Sequence, residues 1–220
     1  MKTVWVIVPA LFGLVSGFFI PLAAREIMLA KYREKYESLV LKKVFTWLPV
    51  LCCLLNAAGW AAISYYSQNV FSASALCLIW SLAILISVID VQIHTIPNET
   101  VLLLMVLGID FQLSCFGLNG LLFAALSMAA VMAGFLFLAG AMGFQSVGAG
   151  DVKLAGAMGL ALGYPHILYG LIAMSVLMIA YSLTGMLLKK ITLKSMLPFA
   201  PFMMAGMAVA VILLLVPTLY

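Results

Sequence analysis

Charge is what this chain has least of: Lys, Arg, Asp and Glu together make up 8% of its 220 residues. A soluble domain carries about 25%. With 66% of the residues hydrophobic, a water-soluble fold of this length would run out of interior before it ran out of apolar side chains. Cysteine is also sparse. Cys52, Cys53, Cys77 and Cys115 all lie in apolar stretches and form no CxxC pair, so a disulfide framework or zinc ribbon is excluded and they read as small buried hydrophobes. Neither GxGxxG nor a GK[ST] ending is present, which removes the common nucleotide-binding loops. No serine string suggests a nucleophile elbow. The two histidines, His94 and His166, are too few for a usual catalytic zinc site and fall on opposite sides of the topology below. No metal and no cofactor is expected.

What is present is a series of long apolar runs. A spanning helix needs roughly 20 mostly apolar residues. Candidate spans are Thr3–Ala24, Val44–Tyr66, Val70–Ile89, Thr100–Phe116, Leu118–Met142, Val152–Gly163, His166–Leu188 and Phe199–Leu219. The sixth is short and glycine-rich, so it should tilt, break or enter the bilayer only in part. Lipid offers backbone groups no hydrogen bonds, so the spans should be helical. The fold class is therefore all-α: a polytopic membrane protein of about eight helices, forming one domain over residues 1–220. The first run is too long for a signal-peptide core of about 7–15 residues and no A-x-A site closes it, so it reads as an uncleaved span.

The scarce basic residues report orientation. Ten of the eleven fall in or beside connections on one side: Arg25–Lys43, the segment around Lys153, and Lys189–Ser195. The opposite connections (Ser67–Asn69, around Gly117, and Tyr164–Pro165) hold none. The positive-inside rule makes the basic side cytoplasmic and puts both termini outside. The net charge of +4 thus reports topology and contact with membrane lipid, and no nucleic-acid partner is expected. Arg25–Lys43 reads as a short, solvated cytoplasmic connector touching anionic headgroups.

Acids at membrane depth are costly, and each is a functional candidate. Asp90 ends the third span, in ISVIDVQIHTIPNE, and Asp151 precedes the sixth, in SVGAGDVKLAGAMG. Counting spans puts both on the cytoplasmic side at similar depth. One acid at a span end is adequately explained as a helix cap or a headgroup contact. Two on one side, one of them inside GAGD, suit a carboxylate pair that shares a proton. The ionised member can take a proton from water while the protonated member donates to a peptide carbonyl. That is aspartyl protease chemistry. Gly148 and Gly150 would leave room for an extended substrate backbone beside Asp151, whereas Gly156, Gly159 and Gly163 suit helix packing. Pro97 fits the first turn of the fourth span. Asn98 is placed to bond loop backbone. Lys153 is placed either to stabilise a carboxylate or to reach headgroups. His94 reads as a polar loop residue. Asp110 lies roughly 15 Å into the bilayer by helical rise, either hydrogen-bonded inside the bundle or facing the outer interface.

These residues resemble a known family. Asp90 followed by Ile96-Pro97-Asn98, then Gly148-Ala149-Gly150-Asp151-Val152-Lys153-Leu154, is similar to the type IV prepilin leader peptidases, bacterial polytopic aspartyl proteases with a GxGD motif. Leu197-Pro198-Phe199-Ala200-Pro201-Phe202 resembles the family's PFxPF-like segment, and Gly17 and Pro21 resemble its first span. The resemblance implies that Asp90 and Asp151 are the catalytic pair in a bacterial inner membrane. It implies that the substrate is a prepilin or pseudopilin precursor, cut on the cytoplasmic side between a basic leader and a hydrophobic helix. Many members carry a larger insertion with paired CxxC cysteines after the first span, and they N-methylate the new pilin N-terminus. Arg25–Lys43 is short and has no cysteine, which speaks against both zinc there and methylation. Two rival readings are a proton-coupled transporter with Asp90, Asp110 and Asp151 as relay sites, and a non-catalytic assembly protein of a pilus or secretion machine. The lack of an internal repeat disfavours the transporter.

Overall fold

A computed structural model describes residues 2–32, 47–67, 69–142, 148–189 and 197–215. Among these the chain forms seven helices and no strand: α1 (Lys2–Lys31), α2 (Leu48–Tyr66), α3 (Val70–Ile93), α4 (Asn98–Met142), α5 (Ala149–Leu162), α6 (His166–Leu187) and α7 (Ala200–Leu215). Five of them (α1, α2, α3, α4 and α6) are long and apolar enough to cross a membrane. The chain is an all-α, multi-pass membrane protein, but by this measure the expected eight crossings are not reproduced. The shortfall has a physical basis. The 14 residues of α5 and the 16 of α7 rise about 21 and 24 Å, short of the roughly 30 Å hydrocarbon core.

The third missing crossing lies in the 45-residue α4, which takes in two expected spans, Thr100–Phe116 and Leu118–Met142, and straight would be about twice the core thickness. It is broken at Gly117, whose φ of 65° and ψ of −161° are not helical. The packing of α5 shows what the break does. Gly108, before the break, lies against Ala161, where a Cβ would come within 3.0 Å of the Ala161 Cα. Beyond the break, Gly159 lies against Met128 and Gly156 against Met132. Asn98, at the start of the first arm, meets Lys153 near the start of α5. So α5 runs parallel to the first arm and antiparallel to the second, and α4 is a helical hairpin that holds α5 along both arms. Gly156 and Gly159 serve helix packing, as their spacing suggests. Gln112 donates to the Ala161 carbonyl (2.9 Å) and closes the far end.

Two expected boundaries move. α1 runs on to Lys31, so the first seven residues of the expected Arg25–Lys43 connector continue that helix; residues 33–46 lie outside the described residues. α3 continues through Asp90 to Ile93, one turn past its expected end. α1 and α2 pack closely, since a Cβ on Gly17 would come within 2.7 Å of the Cys53 Cα. A buried polar cluster crosses from these helices to α3. Asn56 donates to the Gly13 carbonyl (2.8 Å) and Ser16 Oγ (2.9 Å), and accepts from Ser81 Oγ (2.9 Å), which in turn accepts from Trp60 Nε1 (2.9 Å). All four cysteines are free; Cys52 and Cys77 are buried, while Cys115 is exposed.

Candidate active site

The site gathers at the end of the bundle where α3 ends and α4, α5 and α7 begin. α3 stops because His94 adopts the left-handed conformation (φ 49°), its N–H donating to the Asp90 carbonyl over 2.8 Å. The chain then dips inward through buried Ile96 and Pro97. Pro97 stands immediately before α4, and its carbonyl accepts from Thr100 Oγ1 (2.8 Å) and from the Val101 N–H (3.4 Å). The turn that follows Asp90 is thereby fixed at both ends.

Asp90 itself, in the last turn of α3, is only 4% exposed. Its Oδ2 accepts a hydrogen bond from the backbone N–H of Ala200, the first residue of α7, over 2.9 Å. Sequence reasoning missed Ala200 as a site residue. The signal was there in the Leu197–Phe202 segment, but a backbone donor leaves no side-chain mark.

Asp151 stands in the first turn of α5, half-buried. Burial, and then the negative charge of Asp90, hold its carboxyl up at about 6, against a downward pull from the Gly148 backbone. The two carboxyls therefore act on one another. Gly148 precedes α5 in extended conformation, and a Cβ there would come within 2.9 Å of Asp151 Oδ2. Gly150 faces Ile96, where a Cβ would come within 3.3 Å of its side chain. The room these glycines create is thus used first within the chain: one clears the Asp151 carboxyl, and the other lets α5 settle on the turn after Asp90. Lys153 Nζ donates to Asn98 Oδ1 over 3.1 Å, tying α5 to the start of α4. Asn98 thereby bonds a side chain, where loop backbone was the expected partner.

Beside this tie a groove of about 330 Å³ opens, lined by Asn98, Glu99, Val101, Leu102, Met105 and Lys153. Glu99 pairs with Lys31 from the end of α1. The remaining candidates lie apart. His94 is exposed. Asp110 is exposed on the first arm of α4, outside the bundle interior, seven residues or about 10 Å from the Gly117 break. Among the described residues no three His, Cys, Asp or Glu side chains converge as a metal site.

The model of the type IV leader peptidase family matches residues 76–183, a stretch that takes in Asp90, the turn after it, the α4 hairpin and Asp151. No curated protein and no solved structure matches the chain. Over that stretch the chain is similar to the type IV leader peptidase family, and the match indicates a peptidase.

Proposed function

We propose that this chain is a member of the type IV leader peptidase family, a membrane aspartyl endopeptidase that removes the leader peptide from type IV prepilins or pseudopilins. Asp90 and Asp151 form the catalytic pair. The observation that carries the reading is geometric: Asp90 in the last turn of α3 and Asp151 in the first turn of α5, 61 positions apart in the chain, come to one end of the bundle, where Gly150 lies against Ile96 in the turn after Asp90. Two such groups do not both ionise cheaply, so below about pH 6, where the Asp151 carboxyl keeps its proton, they hold one proton between them. The ionised carboxylate takes a proton from water as it attacks the scissile carbonyl, and the protonated carboxyl donates to the carbonyl oxygen. The tetrahedral intermediate then collapses as a proton passes to the leaving amine. The reaction consumes one water and requires no covalent enzyme intermediate.

The substrate is proposed to lie along the groove at the Asn98–Lys153 tie, against apolar Val101, Leu102 and Met105; the groove's lining reaches the start of α5 through Lys153, and neither aspartate is part of it. The distribution of Lys and Arg supports a cytoplasmic position for this end, in a bacterial inner membrane with both termini outside. Gly148, Gly150, Pro97, Asn98 and Lys153 shape the site. N-methylation is not part of the proposed activity.

The test is co-expression with pilin-like precursors from the same genome, read by pilin mobility and the mass of the new N-terminus. Wild type should cut, Asp110→Asn should cut, and Asp90→Asn and Asp151→Asn should leave the precursor intact at matched membrane levels. If every pilin-like precursor stays intact with wild type, the reading fails.

A further inference from the structure

The two acids of the pair are held differently, and the difference originates in α7. The first N–H groups of any helix lack acceptors within it. At α7 the Phe199 carbonyl accepts from Phe202 and Met203 (both 3.2 Å), so the helix is under way from Ala200. Pro201 has no N–H to offer. The amide that α7 presents at its tip is therefore that of Ala200, and it points at Asp90 Oδ2. Ala200 and Met203 are fully buried, so the tip is wedged into the core and water does not compete for the bond. A backbone N–H can only donate, and the helix start adds a partial positive charge, so both favour a carboxylate over a carboxylic acid at this place.

We propose that the start of α7 positions Asp90 as the charged member of the pair, the base that activates water, and so leaves the shared proton on Asp151, the acid. This assignment rests on the aspartyl peptidase reading above and deepens it. Ala200 is a positioning residue acting through Asp90. The Asp151 carboxyl, half-buried and raised by the charge of Asp90, agrees with the assignment. The other charged groups at this end are Arg25 and Glu26, exposed on α1, the Lys31–Glu99 pair between α1 and α4, Lys153 on α5, bonded to Asn98, and Lys189, exposed after α6, together with the titratable His94, exposed just after α3; the described parts of α2 and α7 bring no charged residue.

The chain has three aspartates, Asp90, Asp110 and Asp151, so the side-chain carbons of ¹³Cγ-aspartate give a spectrum small enough to assign with the three Asn variants. The full chain in bicelles would be titrated, and the proton located at the pH where the pair holds one. Asp90 should show the carboxylate shift and Asp151 the acid shift. Replacing Ala200 by lactic acid turns its amide into an ester, which deletes the N–H and weakens the Phe199 carbonyl as an acceptor for Phe202 and Met203; the proton distribution should then move towards Asp90 by about tenfold, equivalent to about one pKa unit. An ester at Met203 deletes a bond to the Phe199 carbonyl but keeps the Ala200 N–H, and Ala200→Gly keeps that N–H too; both should leave the distribution where it was, which separates loss of the bond from disturbance of α7. A proton resident on Asp90 in the wild type, or an Ala200 ester with an unchanged distribution, overturns the proposal. The readout needs no substrate: failure of wild type to cut any precursor would sink the peptidase reading, while the carbon shifts would still say where the proton sits.

Discussion

The polar cluster at Asn56 and the acid pair at Asp90 and Asp151 share helix α3, with Ser81 nine residues, or about 13 Å, before Asp90. Around Asn56 neutral groups answer one another: amide to carbonyl, amide to hydroxyl, hydroxyl to amide oxygen, indole to hydroxyl. Nothing there needs to titrate, and the cluster fixes α1, α2 and α3 in register. At the other end of α3 one acid is buried against a helix tip and the other stands half-buried at the start of α5, its carboxyl raised by burial and then by the charge of Asp90. Satisfied polar groups hold helices together; carboxyls set against each other keep a proton available for transfer. The same helix does both because its two ends face different partners.

That contrast is broken most sharply by removing one carboxyl. Asp90→Asn and Asp151→Asn should each lower cleavage by about a thousandfold, within the range for losing a positioned acid or base. Thermal melting in detergent should shift little, because neither change opens a cavity. A variant that loses activity and folded protein together would move the pair into the structural class occupied by Asn56. Gly206→Ala tests the support from outside the pair. Its Cβ would run into the Gly170 carbonyl oxygen, so α7 must shift from α6. Overpacking of this kind costs about 1–3 kcal/mol, and cleavage per folded molecule should fall as well, because α7 carries the amide that holds Asp90. Melting and cleavage measured on one preparation check both halves.

Asn56→Leu should give the reverse pattern from the acid variants: a loss of about 1–2 kcal/mol in stability, as three partners lose their bonds, with cleavage per folded molecule kept within about twofold. The pH profile sharpens the contrast further. Asp151 must be protonated to donate, and its carboxyl lies at about 6, raised by burial and by Asp90. As pH rises through that value the proton leaves and kcat/KM should fall towards a tenfold loss per unit; the Asn56 variant should show the same limb as wild type. A profile flat from pH 5 to 8 would contradict a titrating acid in the pair.

Much of this was legible in the sequence, for reasons that also explain what was not. Long apolar runs mark membrane helices by length alone, and scarce charges are informative because each is costly. That is how Asp90 and Asp151 stand out in so apolar a chain. Which face of each helix packs on which neighbour is not written in the same way, since helices apolar all round carry no stripe to read. So the α4 hairpin holding α5 along both arms follows from Gly108, Gly156 and Gly159 only once their neighbours are known. The sequence marks Gly148 and Gly150 as important and suggests room for a substrate; the structure gives that room first to Asp151 and Ile96. Ala200 could not be found at all from residue chemistry, because the group that bonds Asp90 is one that every residue but proline has.

The smallest expected effect separates the peptidase from its transporter rival. Asp110 is an acid in the same membrane helix system as the pair, yet it stands exposed on the first arm of α4, twelve residues beyond its start and away from the turn after Asp90 on which the start of α5 rests. If the chain passes protons through the bilayer, a carboxyl at that depth is a natural relay and Asp110→Asn should cost as much as Asp151→Asn. If it cuts peptide bonds at one edge, the amide should serve as well as the acid, with cleavage within about twofold of wild type and stability within about 0.5 kcal/mol, as for ordinary surface changes. The two variants compared at equal membrane levels, against one precursor, decide it: equal losses would carry the function away from the edge and into the bilayer, whereas a wide gap keeps it where α3, α5 and α7 meet.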